Sequence, residues 1–69
     1  MAKAVTIVRL PAVLDITGLK RSTLYKRVAG GNFPRPIRLG PRAVGWIRHE
    51  VDEWLRARIA ESRDPRAAS

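Results

Sequence analysis

The 69-residue sequence predicts a mainly α-helical fold carrying one small β-hairpin. Two short apolar stripes at helical spacing, Leu10-Val13-Leu14 and Leu24-Val28, flank the glycine-bearing turn Thr17-Gly18-Leu19. Ile37 to Leu39 and Ala43 to Ile47 read as extended segments, and Gly40-Pro41-Arg42 between them has the chemistry of a tight turn. A longer 3.6-residue period follows through Ile47, Val51, Trp54, Leu55 and Ile59. A chain this short forms one domain and buries only about 60% of the surface its unfolded form exposes. It contains no cysteine and one histidine, His49, so neither a disulfide framework nor a zinc site is expected to supplement the core.

Taken in order, Ala4 to Val8 is short and rich in β-branched residues, which predicts a strand at a sheet edge. Pro11 suits the first position of a helix, where a missing N–H costs nothing, and the helix is expected to run from Pro11 to Thr17 and end at Gly18. A second helix, Arg21 to Ala29, follows at once. With Lys20 as its cap, Leu19 and Leu24 take the two positions of a hydrophobic staple, and Gly30-Gly31 ends the helix. Asn32-Phe33-Pro34-Arg35-Pro36 is too proline-rich for helix or central strand, so it reads as an extended connector with Phe33 in the core. The hairpin comes next. A last helix is expected from His49 to Ser62, with Glu50, Asp52 and Glu53 near its start and Arg56 and Arg58 later, as the helix dipole favours. The domain thus spans residues 4–62, and residues 63–69 read as a flexible basic tail.

Charge is segregated along this plan. Between Ile16 and His49 lie Lys20, Arg21, Lys26, Arg27, Arg35, Arg38, Arg42 and Arg48, and no Asp or Glu. The six carboxylates, Asp15, Glu50, Asp52, Glu53, Glu61 and Asp64, all fall outside, and the net charge is +8 with a sequence pI near 11.6. Solubility alone requires net charge but not its segregation, so the pattern points to a polyanionic partner. Two helices joined by a tight turn, followed by an arginine-bearing hairpin, outline a winged helix-turn-helix, whose second helix enters the DNA major groove. A plain helical hairpin shares the same apolar spacing.

The runs Arg9-Leu10-Pro11, Thr17-Gly18-Leu19-Lys20-Arg21-Ser22-Thr23-Leu24-Tyr25, Asn32-Phe33-Pro34-Arg35-Pro36-Ile37, Leu39-Gly40-Pro41-Arg42, Val44-Gly45-Trp46 and Glu50-Val51-Asp52-Glu53-Trp54-Leu55 closely resemble the AlpA family of phage-encoded regulators. The resemblance spans Val8 to about Ile59. It implies a minimal MerR-like winged helix-turn-helix, close to phage excisionases, and a DNA-binding transcriptional regulator of a prophage or mobile element. Lys20 departs from the family, which more often has a capping Ser at this helix start.

On the second helix, Arg21, Ser22, Tyr25 and Lys26 share one face. Arg21 and Lys26 are the candidates for guanine O6 and N7, and Ser22 and Thr23 suit phosphate oxygens at the helix N-terminus beside Lys20. The Tyr25 hydroxyl can reach a phosphate, or its ring can cover the core edge. Arg27 shares a side with Leu24 and Val28 and can snorkel toward Asp15 or a carbonyl. Arg42, beside the wing turn, suits a phosphate or a narrow minor groove. Arg35 and Arg38 either add phosphate contacts or pair with the acidic start of the last helix. Trp46 and Trp54 could stack on unpaired bases, but both fall on apolar stripes, which favours the core.

No catalytic constellation is present: Ser22 and Thr23 have no histidine or carboxylate in reach of a triad, and no Gly-rich phosphate loop appears. No cofactor is expected. The expected partner is double-stranded DNA, with integrase or RNA polymerase as further candidates. No membrane association is expected, and localisation is the bacterial cytoplasm, on the nucleoid. The last helix is too short for a long dimerising coiled coil, so the sequence predicts a monomer that binds cooperatively at repeated sites. An excisionase-like bending factor, an RNA-binding basic protein and a protein-interaction adaptor are the alternatives.

Overall fold

The computed structural model describes residues 4–64. In chain order the elements are β1 (Ile7–Val8), α1 (Leu10–Thr17), α2 (Arg21–Ala29), β2 (Ile37–Gly40), β3 (Ala43–Ile47) and α3 (Arg48–Arg63). The predicted tail lies outside the described residues from position 65 onward, while Arg63 closes α3. The strands form one antiparallel sheet in the order β1-β3-β2. Together with the α1–α2 unit this is a winged helix-turn-helix, as predicted.

Each helix ends through backbone chemistry. Gly18 is left-handed (φ 72°), and its N–H donates to the Leu14 carbonyl at 2.8 Å, a C-terminal arrangement that glycine adopts without steric cost. Thr17 locks the same turn: its hydroxyl donates to the Val13 carbonyl (2.8 Å) and accepts the Leu19 N–H (3.2 Å). At the end of α2 the left-handed residue is Gly31 (φ 77°), whereas Gly30 is not left-handed. Asn32 N–H donates to the Arg27 carbonyl at 2.8 Å and Gly31 N–H to that of Val28 at 3.2 Å, the two bonds of a Schellman motif.

β1 is shorter than the predicted Ala4–Val8 strand. Its partner explains the difference: Ile7 pairs with Ile47 and Val8 with Trp46, and β3 then gives way to α3 at Arg48. One last bond, from Arg48 N–H to the Thr6 carbonyl (2.8 Å), marks the limit of the ladder. On the other side Ile37 pairs with Gly45, Arg38 with Val44 and Gly40 with Ala43, with an irregularity between Arg38 and Gly40. The two-residue Pro41-Arg42 turn has no positive φ, which excludes the primed turns that match strand twist. The extra residue, Leu39, absorbs the mismatch as a bulge.

The core consists of Val8, Val13, Leu24, Phe33, Trp46 and Val51, with Leu10, Ala12, Leu14, Ile16, Leu19, Val28 and Trp54 packed around it. Leu19 therefore lies against the cluster that holds Leu24, as a staple requires. Trp46 is fully buried, and its Nε1 donates to the Pro34 carbonyl at 3.0 Å, which pairs the indole N–H and fastens the connector to the sheet. Ile59 corrects the predicted stripe. It is 47% exposed, because α3 continues past the last element that could cover it among the described residues.

Candidate nucleic-acid interface

The α1–α2 turn presents α2 with its first turn open. Lys20, in extended conformation (φ −78°, ψ 154°), makes no side-chain cap, since an ammonium has no acceptor to offer the free N–H groups. No acidic residue lies in this first turn either. The helix start therefore presents unpaired donors at the positive end of the dipole, beside the exposed Lys20, Arg21 and Ser22 and the half-buried Thr23.

Leu24 is completely buried and fixes which side of α2 faces inward. Arg21, Ser22, Tyr25 and Lys26 then fall on the outer side, and all four are exposed, Tyr25 by 45%. Among the described residues none of their side chains makes a hydrogen bond or ion pair, and the same holds for Lys20 and Thr23. A tyrosine sealing the core edge would be largely covered, so the structure leaves its ring and hydroxyl available.

The wing contributes separately. Arg42 occupies its turn and is exposed. Arg38 pairs across the ladder with Val44, two residues from Trp46, so the strand alternation puts Arg38, Val44 and Trp46 on the helix-bearing face of the sheet. Near the tip this face extends beyond the core, leaving Arg38 and Val44 exposed. Arg35 is set apart from the turn. It lines a groove with Pro34, Pro36 and Ile37, whose far wall includes Glu50 and Glu53 of α3. Neither Arg35 nor Arg38 forms an ion pair with α3 among the described residues. Their side chains make no hydrogen bond or ion pair among the described residues, like those on the outer face of α2.

One expectation changes, and the core placement of the two tryptophans holds. Arg27 does not reach Asp15; its guanidinium lies over the ring of Trp54, with Cζ 5.6 Å from the ring centroid. Trp54 itself is half-buried, receives Arg58 as a second cation at 5.4 Å and meets Phe33 edge-on at 4.8 Å, so its ring is occupied by the protein. Trp46 has no exposed surface at all. Neither indole is available to stack on an unpaired base. Sequence spacing could not reveal the role of Arg27, because its partner lies on another element far along the chain.

No helix among the described residues is long and apolar enough to cross a membrane. The exposed arrangement of donors and cations on one helix face and one hairpin tip suits an extended polyanion.

Comparison with known proteins agrees with this geometry. Residues 6–59 match the family model described as "Prophage CP4-57 regulatory protein (AlpA)". The "DNA-binding transcriptional activator AlpA" of Escherichia coli (strain K12) is 44% identical over 61 residues, covering 80% of this chain and 87% of that protein. The "Uncharacterized protein ORF88" of Enterobacteria phage P4 is 42% identical over 52 residues, covering 75% of this chain. The match takes in 59% of the phage protein's own length. With the helix-turn-helix, the wing and the start of the closing helix all inside the matched region, the chain belongs to the AlpA family of prophage regulatory proteins.

Proposed function

We propose that this protein binds a specific double-stranded DNA sequence at a promoter of a prophage or mobile element and regulates transcription there. The observation that carries the reading is the uncapped, carboxylate-free start of α2 beside an outer face whose cations have no ion-pair or hydrogen-bond partner among the described residues. The name of the Escherichia coli relative, a DNA-binding transcriptional activator, supports it.

In this reading Arg21 and Lys26 donate to base edges in the major groove, where Arg and Lys recognise guanine O6 and N7. Lys20, Ser22, Thr23 and the Tyr25 hydroxyl hold phosphates around the helix start. Arg42 follows the backbone or enters a narrow minor groove, and Arg35 and Arg38 add phosphate contacts. Residues 4–62 act as the binding unit, a monomer in solution that occupies repeated sites cooperatively. No chemical step is assigned to the protein; it works in the bacterial cytoplasm, on the nucleoid, by occupying DNA and by recruiting or excluding RNA polymerase.

The test is binding to duplexes from the DNA flanking its own gene, with structured RNA as competitor at matched salt, followed by a promoter reporter. The proposal requires preference for one duplex and a change in reporter output. Preference for RNA would contradict it. If the protein instead bends attachment-site DNA and raises excision frequency with integrase supplied independently, without altering the reporter, its role is that of an architectural recombination factor.

A further inference from the structure

Arg27 is unlike the other cations of α2. It is half-buried, and its Nε is shielded from solvent with no hydrogen-bond acceptor among the described residues. The face of Trp54 takes the acceptor's place, since a guanidinium over an indole is held by the negative potential of the ring. Arg58 repeats the pattern: its Nε is likewise shielded and unpaired among the described residues, its Cζ lies 5.4 Å from the same ring, and one of its terminal nitrogens bonds Glu61 at 3.1 Å.

The contacts of Arg27 close a cycle. Its backbone carbonyl accepts the Asn32 N–H at 2.8 Å, the Asn32 carbonyl accepts Trp54 Nε1–H at 2.7 Å, and the Trp54 ring carries the Arg27 guanidinium. Three residues thus join the last turn of α2, the connector and α3. The cycle matters because α2 is otherwise weakly held. Of its nine residues only Leu24 is fully buried, with Val28 partly covered near the end. A nine-residue helix held in the core mainly through Leu24 and Val28 can change its angle at small cost, and such a change moves its outer face relative to anything it touches.

We infer that Arg27 is a positioning residue for DNA recognition: through Trp54 and Asn32 it fixes the angle of α2, and it makes no DNA contact of its own. The inference rests on the reading of α2 as the helix that meets the bases. It predicts that discrimination between sequences, more than general affinity, depends on Arg27.

The experiment uses the full chain and a duplex that the wild-type protein selects from a random pool. Arg27→Met keeps the apolar stem and removes the charge; Arg27→Lys keeps the charge. Each is titrated against the selected duplex and a scrambled one of equal length over a range of salt, at a temperature where thermal unfolding shows both variants folded. Acrylamide quenching of tryptophan fluorescence is read on the same samples, and the fully buried Trp46 provides a constant background. Arg27→Met should lower the ratio of selected to scrambled affinity by about three- to tenfold, the range expected of a partly buried cation–π contact. It should leave the salt slope unchanged and make Trp54 more accessible to acrylamide, and Arg27→Lys should restore most of the ratio. A slope shallower by about one, with equal loss on both duplexes, would make Arg27 a phosphate contact and overturn the inference. Equal loss with no change in slope, or no loss, overturns it as well. If the wild-type protein selects no duplex, the DNA-binding reading itself fails before any variant is compared.

Discussion

The two arginine-bearing regions of this molecule differ in what surrounds their charges. Helix α3 carries Arg48, Arg56, Arg58 and Arg63 together with Glu50, Asp52, Glu53 and Glu61, so its arginines and carboxylates sum to zero formal charge. It pairs Arg48 with Asp52 at 3.8 Å and Arg58 with Glu61 at 3.1 Å within its own turns. Helix α2 carries Arg21, Lys26 and Arg27 with no carboxylate, and the connector and wing add Arg35, Arg38 and Arg42 under the same condition. Water hydrates an exposed guanidinium equally well in either region. The contrast therefore lies in the placement of acids: one set of cations is balanced by carboxylates of its own helix, while the other has none on its own elements. Arg27 belongs by sequence to the second set and by contact to neither, since an aromatic ring holds it.

Single substitutions test this contrast. The largest effect is expected from Trp46→Ala, which removes the fully buried side chain beneath the sheet and the bond to the Pro34 carbonyl. A loss of about 3–5 kcal/mol is expected for such a truncation, enough to unfold much of so small a domain in thermal or urea denaturation. Both regions would then lose their scaffold together. Next, Arg21→Ala or Lys26→Ala should each cost about 1–3 kcal/mol on the selected duplex and less on a scrambled one, measured by gel shift. Equal weakening on both would move that residue from base contact to phosphate contact.

Arg42→Ala should reduce the log–log salt slope of binding by roughly one, as expected when one phosphate is no longer neutralised. An unchanged slope would exclude it from the interface. Smallest of all should be Asp52→Asn in α3. The ion pair it breaks is long and solvent-exposed, so stability should fall by less than about 1 kcal/mol, and the DNA salt slope should not change. A large effect on DNA binding would erase the distinction between the two regions.

Much of the architecture was legible because local rules and the tertiary fold agree. Val13, Leu24 and Val51 sit where the helical period puts them, Gly18 ends α1 through a left-handed residue, and Pro41 stands in the wing turn. The exposed face of α2 could be read for the same reason: once Leu24 is inward, helical geometry turns Arg21, Tyr25 and Lys26 outward. What escaped are features set by distant partners. The length of β1 is decided by where β3 becomes α3, and the exposure of Ile59 by the absence of a described element opposite it. Both indole N–H groups donate to carbonyls of the connector, Trp46 to Pro34 and Trp54 to Asn32, and no periodicity encodes such bonds. Gly45 is similar. A Cβ there would lie 2.5 Å from Ile7 Cγ2 and 3.1 Å from Leu39 Cδ1, so a closely packed sheet face requires glycine at a position that reads locally as ordinary strand.

Whether the cations on the outer face of α2 and in the wing, which have no ion-pair partner among the described residues, form the DNA contact surface is tested most directly by titrating the isotopically labelled protein with its selected duplex and mapping amide chemical-shift changes. The account predicts that the changes concentrate at residues 20–26, 35, 38 and 42 and leave the outward side of α3, around Asp52 and Arg56, nearly still. Changes centred on α3, with α2 and the wing unaffected, would contradict it.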